Sequence, residues 1–94
     1  MVNLSSAQIL GARGMLDWSM IDLANAARVS VSTVKRVEEV QLQPVSDSTR
    51  AAIQGAFEEA GIVFLEDDGI GHGLRLRSDE ARQRLREGKS EGSA

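Results

Sequence analysis

The sequence predicts a mainly α fold of about four helices followed by a short C-terminal β-hairpin. Three observations carry this. Four segments in the first two thirds of the chain repeat apolar residues at helical spacing, and each can be opened by a serine. Beyond them only Ile62–Leu65 and Gly73–Arg77 have strand character, the second with Leu74 and Leu76 alternating against Arg75 and Arg77. Between those two lies the acidic, glycine-rich segment Glu66–His72, a natural hairpin connection.

Each element has its own local reason. Ser5 or Ser6 can cap a first helix running to about Leu16, with Ile9, Ala12 and Leu16 on one stripe and Gly11 and Gly14 weakening it. Asp17-Trp18-Ser19 breaks that pattern. Ser19 then caps a second helix, with Asp22 three residues on as a capping-box acid and Met20, Leu23, Ala24 and Ala27 as its apolar face. After the short connection Arg28-Val29-Ser30, Ser30 caps a third helix from Val31 to Glu38 or Glu39. Val34 and Val37 point inward there, and Ser32, Thr33, Lys35 and Arg36 outward. Residues 40–45 form a loop holding Pro44. Ser46 opens a fourth helix with Thr49, Ala52, Ile53, Ala56, Phe57 and Ala60 at helical spacing, and Gly61 closes it. Residues 78–87 read as a polar surface helix and 88–94 as disordered tail. The expected division is a head over 1–61, a hairpin over 62–77 and a polar end over 78–94.

Composition narrows the function. The 94 residues contain no Cys, no Tyr and one His. No nucleophile stands with a base, so an enzyme is not expected. His72 has no second ligand nearby, and no metal or cofactor is expected. The acids Glu66, Asp67 and Asp68 and the spaced glycines Gly69, Gly71 and Gly73 read as a solvated hairpin loop rather than as a cation or phosphate site. With no long apolar run and no basic-then-apolar leader, a soluble cytoplasmic protein is the expectation, with no membrane partner.

The net charge of −3 argues at first against nucleic acid, but its distribution matters more than its sum. From Arg28 to Val37 there are three cations, Arg28, Lys35 and Arg36, and no acid. Two short helices joined by a tight turn, the second polar and basic on its outer face, form a helix-turn-helix pattern. One α-helix fits the major groove of double-stranded DNA, where base edges present distinct donors and acceptors.

The residues Trp18, Ser19, Leu23, Ala24, Ala27, Val29, Ser30, Thr33, Val34, Arg36, Val37 and Glu38 carry a resemblance to the Cro/C1-type (XRE) repressor family. With the tail Gly61–Leu65 and Gly73–Arg77, the chain looks like a small single-domain subset of it, and the resemblance covers about Ser6 to Arg77. It implies a lambda-repressor-like head and a DNA-binding transcriptional regulator. Val31, Ser32 and Arg36 match the family's base-reading positions. Ser30, Thr33 and Lys35 flank them, the start of helix two at Ser19 offers backbone N–H groups to a phosphate, and Gln41 and Gln43 approach the other side of the backbone. Arg13 and Glu38 match a structural ion pair. The chain departs from the family at Met20, Arg28 and Val40, where Gln, Gly and Gly are common. Arg28 must therefore strain into, or avoid, a left-handed turn.

A chain this short gains from a partner subunit. A homodimer is expected through helix four and the tail strands, with Phe57, Ile62, Phe64, Leu74 and Leu76 as interface candidates and an inverted-repeat operator as its target. Whether the strands pair within or between chains stays open at this level. The alternative is a protein-interaction module, of antitoxin or anti-activator type, that keeps this fold but acts on a regulatory protein partner. The acidic total charge and Val31 in the reading helix speak for it.

Overall fold

The computed structural model describes residues 4–39 and 45–78. Within them the order is α1 (Ser6–Leu16), α2 (Met20–Ala27), α3 (Val31–Glu38), α4 (Asp47–Glu59), β1 (Ile62–Leu65) and β2 (Gly73–Leu76). This is the mainly helical architecture with a terminal hairpin that the sequence predicts. The loop with Gln41, Gln43 and Pro44, the expected helix past Ser78 and the tail at 88–94 lie outside the described residues.

Serine side chains start all four helices. Ser5, Ser19, Ser30 and Ser46 each accept a hydrogen bond from the backbone N–H three residues on, satisfying a donor that the helix itself leaves unpaired. At α1 and α2 the box is reciprocal: Gln8 reaches back to the Ser5 N–H and Asp22 to the Ser19 N–H. The ends of α1 and α2 also match each other. Asp17 and Arg28 both turn left-handed, and the next residues, Trp18 and Val29, donate their N–H groups back to Arg13 and Ala24. These two tight reversals set α1, α2 and α3 in succession around one core. Gly61, at φ 107°, turns the chain out of α4 into β1.

The core gathers the predicted stripes. Ile9, Ala12 and Leu16 of α1, Leu23, Ala24 and Ala27 of α2, Val34 and Val37 of α3, and Ile53, Ala56 and Phe57 of α4 are all buried. Trp18 covers one side, half-buried and stacked on Phe57 with ring centroids 5.7 Å apart. Phe64 meets Phe57 edge-on at 5.9 Å.

The strands pair antiparallel within the chain, Ile62 opposite Leu76 and Phe64 opposite Leu74, and the Arg77 N–H extends the ladder to the Gly61 carbonyl at 2.9 Å. A lone hairpin is marginal in water. Here β1 packs on α4 and β2 on α1. The Gln8 amide, buried, donates to the Gly73 carbonyl at 3.1 Å. Gly11 leaves room for the Leu74 side chain: a Cβ there would stand 2.7 Å from Leu74 Cδ1, and the leucine would have to turn aside.

The interface expected from Phe57, Ile62 and Phe64 is therefore corrected. They are 0%, 2% and 7% exposed inside the protomer, so they offer almost no surface to a second chain. Leu74 and Leu76 are half-buried against the same core. The hairpin is a wall of the head rather than an arm extending from it.

Gly55 presents the opposite case to Gly11. It lies on the exposed side of α4 with open space where a Cβ would stand. Gly55→Ala is expected to stabilise the fold by roughly 0.5–1 kcal/mol through helix propensity alone. A higher urea midpoint checks this, and a lower one contradicts it.

Candidate functional site

The site is built on α3. At eight residues it is too short to hold its shape alone, so its inner face must anchor it. Val34 and Val37 enter the core, and Glu38 is buried beside them. Arg13 of α1 clamps that carboxylate with two hydrogen bonds, Nε to Oε2 at 2.6 Å and Nη2 to Oε1 at 3.0 Å. Its remaining Nη1 donates to the Trp18 carbonyl at 3.0 Å. One guanidinium thus ties α1 to the end of α3 and to the α1–α2 junction, using the fork geometry that favours Arg over Lys. The side chains of Arg13 and Glu38 are 18% and 4% exposed. The expected structural ion pair is present.

With that face anchored, the other face is bare. Val31, Ser32, Lys35 and Arg36 are exposed; they fall at i, i+1, i+4 and i+5 and so share one side of the helix. Val31 is 43% exposed. Thr33 is half-buried, and its hydroxyl hydrogen-bonds the Ser30 hydroxyl at 2.8 Å. Ser30 and Thr33 thus lock the start of α3 instead of standing free. Lys35 and Arg36 lie in the last turn, where positive charge meets the negative end of the helix dipole.

The other expected contributors lie at the start of α2 and in the loop after α3. At the start of α2, whose backbone N–H groups are expected to face a phosphate, the Ser19 N–H itself is donated to Asp22 Oδ2 at 2.9 Å. This places the Asp22 carboxylate at that corner of α2, where its charge repels a phosphate. Gln41 and Gln43 lie outside the described residues. The residues that sequence reasoning missed are supporting ones. Gln8 joins α1 to β2; its position three after Ser5 signals the capping box but not that long-range bond. Asp17 repeats the left-handed turn of Arg28, and no local pattern marked it.

An open groove of about 470 Å³ is lined by Ser5, Ala7, Gln8, Met15, His72, Gly73 and Leu74, and one of about 270 Å³ by Trp18, Ala26, Ala56, Glu59 and Ala60. No α3 residue lines either. The acids of the hairpin loop serve the loop itself: Asp67 and Asp68 accept from the N–H groups of Gly69 and Ile70. Among the described residues no group of three or more His, Asp or Glu side chains is placed to hold a metal ion, and no helix is long and apolar enough to cross a membrane.

A scan against protein-family models finds no match for the chain, and a search of curated proteins finds no relative.

Proposed function

We propose that the chain is a sequence-specific DNA-binding transcriptional regulator of Cro/C1 type that binds an inverted-repeat operator as a homodimer and acts on its own promoter. One observation carries this: α3 is held from behind by Val34, Val37 and the Arg13–Glu38 clamp while Val31, Ser32, Lys35 and Arg36 face solvent. A rigid, short, one-sided helix with small side chains at its start and cations at its end suits the major groove. In that setting Val31 packs on a thymine methyl, Ser32 bonds a base edge, and Arg36 takes guanine O6 and N7. Lys35 meets phosphate. Two subunits set their α3 helices on half-sites about 34 Å apart. Regulation is by occupancy of the promoter.

Duplexes recovered by selection from genomic fragments, including DNA upstream of the chain's own gene, test this by fluorescence anisotropy. Recovered sequences share an inverted repeat, and Arg36→Ala weakens specific binding by about 1–3 kcal/mol, roughly 5- to 150-fold, with the fold intact. A second reading has the same face bind a regulatory protein. The exposed Val31 and the net charge of −3 favour it. Duplex affinity that is absent, or unchanged by salt, together with capture of the product of a neighbouring gene, selects that reading instead.

A further inference from the structure

Arg28 is the one residue of the α2–α3 turn whose backbone works against its side chain. It sits at φ 58°, ψ 44°. There glycine is at ease, and a residue with a long side chain and a Cβ is strained. Asp17 ends α1 in the same conformation, but a short acidic residue is among the types that tolerate it. Arg28 has no such excuse, and its side chain repays nothing within the fold. That side chain is exposed, and among the described residues it makes no hydrogen bond or ion pair. The Arg28 N–H closes α2 on the Ala24 and Asn25 carbonyls, a task glycine does equally well. Strain that the fold does not require, at the rim of a candidate site, points to use by a ligand.

We infer that Arg28 contacts a DNA phosphate at the wall of the groove that α3 enters; this rests on the DNA-binding reading above. Arg28 lies three residues ahead of Val31, the first residue of α3. A helix that enters a groove about 12 Å wide by its N-terminus leaves the chain just ahead of it beside the phosphates. Arg28 also begins the acid-free stretch that ends in Lys35 and Arg36, so its charge extends the field of the reading face. A phosphate contact positions without reading sequence. The turn thus gives up stability for affinity.

The test compares wild type, Arg28→Gly, Arg28→Lys and Arg36→Ala on a selected duplex and on an unrelated duplex of equal length, over a range of salt. Arg28→Gly is expected to raise Tm by several degrees. It weakens binding to both duplexes alike and flattens the plot of log affinity against log salt by about 0.9. Arg28→Lys keeps the charge and the strain, and stays near wild type in Tm and salt slope. Arg36→Ala loses the preference between duplexes. If wild type and Arg36→Ala behave so while Arg28→Gly binds with unchanged affinity and slope, the Arg28 inference is overturned and the regulator reading stands. A lower Tm for Arg28→Gly overturns it as well. If wild type shows no salt-sensitive affinity for either duplex, both fall together.

Discussion

Replacing Glu38 by alanine is expected to destabilise the fold by about 3 kcal/mol, the lower end of the cost of breaking a buried pair, because it leaves a partly buried guanidinium without its counter-charge. The two short hydrogen bonds from Arg13 Nε and Nη2 both end on that carboxylate, whose side chain is 4% exposed. For a domain of this size each kcal/mol moves Tm by roughly 4–8 °C, so the loss is on the order of 12–24 °C. Glu39, the next residue, is exposed and caps the helix only with its backbone N–H. Glu39→Ala should stay within about 0.5 kcal/mol of wild type. Glu38→Gln, which keeps the shape and one acceptor, should fall between them. Thermal melts followed by circular dichroism measure all three, and equal melting points for the Glu38 and Glu39 alanine variants would remove the clamp from the account. The consequence reaches function: without the clamp, the last turn of α3, where Arg36 lies, is no longer held against α1.

The second large effect is expected at Phe57. It is fully buried and joins Trp18 to Phe64, and so the α1–α2 junction to β1. Phe57→Ala removes both ring contacts and opens a cavity, at a cost of about 3–5 kcal/mol. The outcome also separates two roles for this residue. A core residue makes the loss appear in the melting of the protomer at every protein concentration. An interface residue leaves a folded monomer and a melting temperature close to that of dilute wild type. The first result is expected, and the second would reinstate Phe57 on a dimer surface.

The contrast shows where sequence reasoning reached. Helix starts were legible because capping is local chemistry: Ser19, Ser30 and Ser46 each needed only the three residues that follow. The inward faces of the helices were legible because their period is fixed by backbone geometry. The pairing of Arg13 with Glu38, 25 residues apart, was not visible in any local pattern and came through family resemblance. What covers an apolar face was legible least. Alternation in Leu74 and Leu76 says that one side of the strand is buried, but not whether its own helices or a second chain do the covering. Gln8 and Gly11 settle this in the folded chain by binding and admitting β2 against α1. Neither residue advertises that role in sequence. Ser19 and Asp22 show the opposite case: their capping box is legible because both partners lie within one turn, and the Ser19 N–H donates to Asp22.

On the outer face of α3 the sequence pattern and the geometry agree most closely, and the functional proposal depends on that face. The acid-free basic stretch could be read directly. Burial adds that Val31, Ser32, Lys35 and Arg36 are exposed together on a helix whose reverse side is immobilised. The most direct test is amide chemical-shift mapping of the isotope-labelled chain as a selected DNA duplex is added. Shifts are expected to concentrate from Arg28 to Arg36, fade as salt is raised, and leave β1 and β2 nearly unmoved. Shifts confined to the hairpin or to the grooves away from α3, or none at any duplex concentration in low salt, would contradict the functional proposal.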